Sequence, residues 1–253
     1  MKVALCQFKP VAGDVRANAE TVVSAVNNTD ADLLVFPEMF LTDYSFRDFD
    51  SVKNLNECIE MILSCTRRSH KAVIVGGPFI SENGVFNSSY FISDNITRYD
   101  KIHLPGFGVF GEDKIFTAGT KPVMTEVCGF KIGLIICYDI FFPELVKYYA
   151  VNGADMIVCI SASPTTSEKA FQHVVSARCV ESTVYTVFVN NIGDCMDLKF
   201  FGKSRCITPY GDTIAIADGD SSVVIADIEH DVIEASRRDR PTLKDTRMHI
   251  GMP

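Results

Sequence analysis

Short apolar runs alternating with amphipathic stretches set the strongest limit on what this chain can fold into. Lys2–Phe8, Asp32–Phe36, Ala72–Gly76, Lys131–Cys137, Met156–Ile160 and Tyr185–Asn190 have the length and composition of buried strands. Between the first two, Val15, Ala19, Val22, Val23 and Val26 recur at helical spacing, with Asp14 placed to cap the helix. Leu55–Arg68 reads as a second helix. Pro143 opens a third, continued by Leu145–Val151, and a fourth spans about Ser167–Glu181. From Val85 to Ile102 the pattern changes. Strands around Phe86–Ile92 and Thr97–Ile102, broken by Ser93-Asp94-Asn95, read as an antiparallel meander. Polar turns and further strands run on to Asp227. An α+β (α/β-type) fold with mixed sheets follows, not a purely parallel order. No repeat or low-complexity linker divides the chain, so residues 1–253 read as a single domain. Residues 236–253, charged at Arg237, Arg238, Asp239 and Arg240, read as a C-terminal surface or interface tail.

Composition narrows the partners. With 253 residues and 47% apolar content the chain can bury one large core, and 22% charged with 10% aromatic residues excludes a disordered chain. The net charge of −8 argues against nucleic acid or an anionic membrane as partner. The first apolar run breaks at Gln7, too early for a secretory signal, so a cytoplasmic location is expected. Nine cysteines, an odd number, then read as reduced, buried thiols rather than a disulfide framework. No C-x-x-C or H-E-x-x-H pattern is present and the five histidines do not cluster with cysteines, so no metal site is expected.

Two motifs mislead. Gly106, Gly108 and Gly111 spell G-x-G-x-x-G, but Pro105 precedes them and the Thr117-Ala118-Gly119 turn follows too soon for the helix that a dinucleotide site requires. A glycine-rich active-site loop is the better reading. Gly202–Cys206 lacks the second glycine of a serine nucleophile elbow.

Three reactive side chains instead stand in or at the ends of strands: Glu38 after Leu33–Pro37, Lys101 within Thr97–His103, and Cys137 after Ile132–Ile136. Taken singly, each has an ordinary structural explanation as an exposed acid, a surface lysine or a core thiol. Together they make a complete covalent catalyst. A carboxylate takes the thiol proton, the sulfur attacks, and an ammonium stabilises the oxyanion.

The segments "LLVFPEMF", "YDKIHL" and "IGLIICYDIFFPEL", with Glu38, Lys101 and Cys137 at spacings of 63 and 36 residues, resemble the three signature segments of the nitrilase superfamily of carbon–nitrogen hydrolases. "GVFGE", "SASP" (161–164), "VNNIG" (189–193) and "FGKS" (201–204) extend the likeness over about residues 2–228. The resemblance implies a four-layer α-β-β-α sandwich, a homodimer or higher homo-oligomer, and neither metal nor organic cofactor. It implies Cys137 as nucleophile, Glu38 as general base, and Lys101 with the backbone N–H of Tyr138 as oxyanion hole. Glu112 would fix Lys101 and the substrate. The lysine should favour thiolate, which would make Cys137 the most reactive thiol and leave the other eight slow.

The substrate is less determined. Relatives that hydrolyse N-carbamoyl amino acids carry an arginine shortly after the cysteine, where this chain has Tyr138 to Phe142. Phe141, the Glu112 loop, Ser163 and the basic Lys169 resemble instead the glutaminase domains of glutamine-dependent NAD synthetases, without the synthetase domain. Phe107 stands where that branch carries tyrosine, and Asp43 precedes Tyr44 where many relatives have glycine, which alters the pocket mouth. The reading is an amidase for a small aliphatic amide, with Lys169 as the candidate group for a substrate carboxylate. A nitrilase or carbamoylase using the same residues, a non-catalytic binding protein on this fold, and a Cys–His hydrolase using His103 or His173 are the alternatives.

Overall fold

The computed structural model describes residues 1–49, 52–108, 110–195 and 197–247. Val109, within the glycine-rich loop, lies outside the described residues, as do residues 248–253. In the first half β1 (Lys2–Gln7), α1 (Val15–Asn28), β2 (Leu33–Val35), α2 (Leu55–Ser69) and β3 (Ala72–Ser81) alternate, and β4 (Gly84–Ile92) and β5 (Ile96–Asp100) follow as the expected meander. The Asp14 carboxylate accepts the Ala17 N–H at 3.0 Å, capping α1 as its position predicts. In the second half β6 (Met124–Val127), β7 (Phe130–Ile136), α3 (Pro143–Val151), β8 (Met156–Ser161), α4 (Glu168–Ser182) and β9 (Tyr185–Asn190) repeat the alternation. Short strands complete it: β10 (Ile192–Cys195), β11 (Leu198–Phe201), β12 (Arg205–Ile207), β13 (Thr213–Ile216) and β14 (Ser222–Asp227).

Two six-stranded sheets result, ordered β14-β1-β2-β3-β4-β5 and β13-β12-β9-β8-β7-β6. Each has three parallel strands, β1-β2-β3 or β7-β8-β9, flanked by antiparallel ones. The side-chain period of two sorts the first sheet into faces. Val3, Leu5, Leu33, Val35, Ala72 and Ile74 join a core shared with the second sheet, α3 and α4. Ala4, Cys6, Leu34, Phe36, Val73 and Val75 pack instead on α1 and α2. Burying each Val22- or Ile62-sized side chain in these layers contributes about 1.5–3 kcal/mol. The layers therefore run helix, sheet, sheet, helix, the four-layer sandwich implied by the resemblance.

The C-terminal region departs from the sequence reading. Ser236–Asp239 do not belong to a tail but end a helix, α5 (His230–Asp239). Its Ile233 and Ser236 are buried, and Arg237 donates to the Ala154 carbonyl at 2.7 Å while facing Asp155 at 3.5 Å. The charges that suggested an exposed tail dock the helix instead. Nine free cysteines fit the reduced reading, but Cys128 is exposed. It occupies the two-residue turn of the β6–β7 hairpin with Gly129, both at positive φ (51° and 80°), as the tight hairpin geometry demands.

Candidate functional site

Glu38 is placed by the chain that leaves β2. The Phe36 N–H donates to Ile74 O, the Gly76 N–H to Pro37 O and the Leu41 N–H to Gly76 O, so residues 36–41 lie directly against β3. Only glycine fits at 76, because a Cβ there would stand 2.4 Å from the Met39 nitrogen and 2.7 Å from the Glu38 Cα. The Glu38 carboxylate is fully buried. Its Oε1 accepts from Asn87 Nδ2 at 2.7 Å and from Lys101 Nζ at 2.8 Å, and its Oε2 accepts the backbone N–H of Ala162 at 2.7 Å. That last bond crosses from the first sheet's strand ends to those of the second.

Lys101 follows β5 and is tied to β4 by its N–H, which donates to Asn87 O at 2.9 Å. Its ammonium lies between two carboxylates, Glu38 and Glu112, with the Glu112 oxygens at 2.9 and 2.8 Å. Burial alone would lower the lysine pKa, but the Glu112 and Glu38 charges outweigh it and hold the pKa well above the ordinary value. Burial raises the Glu112 pKa, against the opposing pull of Lys101. Tyr44 donates to Glu112 Oε1 at 2.6 Å, and burial with these carboxylates keeps its hydroxyl protonated. Glu112 Oε2 meets the Lys101 ammonium and no other donor among the described residues.

Cys137 directly follows β7 and has φ 49°, a left-handed conformation that costs a non-glycine residue about 1–3 kcal/mol. The turn after it, Cys137–Phe141, is held from both sides. Asp139 accepts from the Ile136 N–H (3.0 Å), the His103 N–H (2.9 Å) and the Tyr99 hydroxyl (2.8 Å), while Arg178 donates to the Ile140 and Phe141 carbonyls at 2.9 and 3.2 Å. The strained nucleophile and the segment after Lys101 are thus braced by one aspartate. The Cys137 thiol is 3.3 Å from Ser163 Oγ. Burial and the Glu38 charge push its pKa up to about 12, outweighing Lys101 and the two serines Ser161 and Ser163. This corrects the expectation of a thiolate favoured by lysine. The resting thiol is protonated, and exposed Cys128 is the more accessible of the two.

A relay of buried polar groups runs on from Ser163. Its N–H donates to Asn190 Oδ1 (2.7 Å), the Asn190 N–H donates to Ser204 Oγ (3.0 Å), and the Ser204 hydroxyl donates to Gln7 Oε1 (2.8 Å). Gln7 in turn donates to the carbonyls of Asp218 and Asp220. Neighbouring Asn191 donates to the Glu38 carbonyl at 2.8 Å. Sequence reading missed Asn87, Asp139, Asn190 and Asn191 as site residues. The available signal was polar side chains inside otherwise apolar strands, as at Asn87-Ser88-Ser89, all buried.

A cavity of about 150 Å³ opens on Cys137, Glu112 and Ser163, with Phe107, Tyr138 and Phe141 in its wall. Lys169 is the correction. It is exposed on the first turn of α4 and lines a separate shallow depression with Gln172 and His173. Phe171, Val175 and Cys179 mark the buried face of α4. Lys169 stands two residues before Phe171, about 200° around the helix, and so points the other way. His103 is engaged by Asp139 at 2.7 Å and stacked on Phe142, and neither it nor His173 lines the Cys137 cavity.

The family model "Carbon-nitrogen hydrolase" matches residues 2–238. The chain belongs to that family. This carbon–nitrogen hydrolase is 31% identical, over 261 residues, to the Pseudomonas protegens protein named "Hydrolase in pqqF 5'region", covering 99% of this chain and 90% of that protein. It is 28% identical to an (R)-stereoselective amidase of a Pseudomonas species, covering 99% of this chain and 93% of that protein. A glutamine-dependent NAD(+) synthetase of Aquifex aeolicus is 29% identical over 99% of this chain, which spans 45% of that protein's length. Among solved structures, XC1258 from Xanthomonas campestris, a CN-hydrolase superfamily protein, superposes with a TM-score of 0.91 at 22% identity, covering 100% of this chain and 99% of that one. The hydrolase therefore has the nitrilase-superfamily fold. Among the described residues no helix is long and apolar enough to cross a membrane, and no cluster of His, Cys, Asp and Glu could hold a metal ion.

Proposed function

We propose that this carbon–nitrogen hydrolase cleaves small amides through a thioester on Cys137, with Glu38 as proton carrier. The observation that carries the reading is the buried ammonium of Lys101 held between Glu38 and Glu112 beside a strained thiol. A thiol raised to about 12 does not ionise by itself at neutral pH, so its proton must leave as the sulfur attacks. Glu38 takes that proton while the S–C bond forms. The oxyanion is stabilised by Lys101 and by the N–H of Tyr138, which lies in the first turn after the thiol, where helical N–H groups have no partner within the turn. Glu38 returns the proton to the nitrogen as the C–N bond breaks, releasing ammonia or an amine. It then deprotonates a water that attacks the thioester. The C–S bond breaks and the sulfur regains its proton. Glu112 keeps the lysine in place, and its Oε2, which meets Lys101 alone, has a lone pair left to accept from the substrate's N–H.

Release of ammonia from amides, nitriles and carbamoyl compounds, measured beside Cys137→Ala, tests this. An amide substrate whose turnover falls on the order of 10⁶-fold in the variant is expected, the loss that follows removal of a nucleophile from a coupled catalytic set. Turnover that survives Cys137→Ala overturns the reading, and a mass increase of Cys137 by the acyl group during turnover supports it.

A further inference from the structure

The walls of the Cys137 cavity are aromatic. Phe110, Phe107, Tyr138, Phe141 and Phe171 form one continuous arc, with successive ring centroids 5.8, 5.4, 5.8 and 5.1 Å apart and mostly edge to face. Phe171 is anchored in turn on Phe188 at 5.4 Å and Phe201 at 6.2 Å, so that end of the arc is fixed by the core. Among the described residues no cation lines the cavity, and the one carboxylate that does is Glu112. The nearby ammonium of Lys101 is already held by Glu38 and Glu112.

We propose that the acyl side of the substrate is an uncharged apolar group, between isobutyryl and benzoyl in size. The proposal rests on the assignment of Cys137 as nucleophile. The volume supports the size, since a dry apolar cavity of about 150 Å³ in another protein takes up benzene. The charge pattern supports the class. A carboxylate placed among these rings loses its water, gains no cation and faces the Glu112 charge. Lys169, the cation the sequence offers for such a carboxylate, is exposed outside this cavity. An apolar acyl group loses nothing on entry and displaces water from the rings.

The test compares kcat/KM for acetamide, propionamide, isovaleramide, benzamide, glutamine and succinamate, each with Cys137→Ala as control. Expected is a rise of about fourfold per added methylene from acetamide toward isovaleramide, with glutamine and succinamate about a hundredfold below isovaleramide. Phe107→Ala, a change at a half-exposed ring that the core does not need, should cost benzamide about three- to tenfold more than it costs acetamide. Cys137-dependent hydrolysis that is fastest on glutamine or succinamate overturns the inference and leaves the proposed chemistry standing. So does an equal loss on both amides in Phe107→Ala. Absence of Cys137-dependent ammonia from every amide overturns the chemistry and the inference together.

Discussion

The two halves of the molecule share one plan, three parallel strands with two crossover helices and antiparallel flanks, yet they bring different chemistry to the same place. The first half, with the connection that follows it, supplies charge: Glu38, Lys101 and Glu112, all buried and mutually paired. The second supplies the thiol and most of the aromatic wall, with no cation or carboxylate among its described residues in the cavity. A strand end is thus a position for a reactive group, and the architecture does not dictate which. The separation also divides the labour in the proposed reaction. Charge from one side handles protons and the oxyanion, and the apolar surface from the other selects the acyl group.

Removing charge from the first half should break this division most severely. Lys101→Met is expected to lower kcat by about 10²–10³ with little change in KM, since an oxyanion donor acts chiefly in the transition state. It also leaves two carboxylates buried without their cation, so a loss of about 3–5 kcal/mol in urea unfolding should accompany it. Normal turnover in the folded variant would remove Lys101 from the mechanism. A smaller effect is expected from Tyr44→Phe, which deletes a hydrogen bond to ionised Glu112 worth about 1.5–3 kcal/mol. Its kcat should fall by roughly ten- to a hundredfold if that bond holds Glu112 against Lys101, and steady-state rates across pH would reveal an unchanged profile if it does not.

The second half should dominate the response to alkali. Burial raises the pKa values of Cys137 and Cys179 to about 12 and those of Cys159 and Cys206 also upward, against Cys6 in the first sheet. A group that keeps its proton in the folded state contributes stability that is intact below its unfolded pKa, near 9, and declines as pH rises from there toward 12. Thermal unfolding should therefore show Tm falling above about pH 9, less steeply in Cys137→Ala, which removes one such proton. A Tm that stays level to pH 11 would contradict the burial of these thiols. The smallest expected effect is that of Lys169→Ala. An exposed residue away from the cavity should change kcat/KM for glutamine and propionamide alike by less than about 0.5 kcal/mol equivalent, and a selective loss on glutamine would restore the residue as a specificity group.

What the sequence made legible follows from local order. Glu38, Lys101 and Cys137 were readable because each stands in or beside a short apolar run, and β2, β5 and β7 place them as their runs indicate. Asp14 was readable as a cap because capping is decided within four residues. The direction of Lys169 is not legible from its motif position, because the phase of its helix decides it, and the apolar spacing of Phe171, Val175 and Cys179 carries that phase. Helix α5 was missed for another reason. Its buried contacts are few, and Arg237 is engaged by Ala154 and Asp155, more than eighty residues away in the chain. Asp139 and Asn190 likewise act through bonds to distant partners that no local pattern encodes. The aromatic arc gathers rings from the glycine-rich loop, the nucleophile turn and α4, and becomes visible only when the halves meet.

The relay from Cys137 through Ser163, Asn190 and Ser204 to Gln7 has a consequence for how the protein is made. Gln7 is among the first residues synthesised, while the Asp218 and Asp220 carbonyls and the β14 strand that hold its segment are among the later ones. A nascent chain that has emerged past residue 137 already contains Glu38, Lys101 and the thiol, but the hydroxyl and carbonyl groups that brace Gln7 and Ser163 are still to come. Contacts of such long sequence separation form late, because loop closure must precede them. The bracing of Ser163 and Gln7 should thus arrive with completion of the fold rather than accumulate along the way.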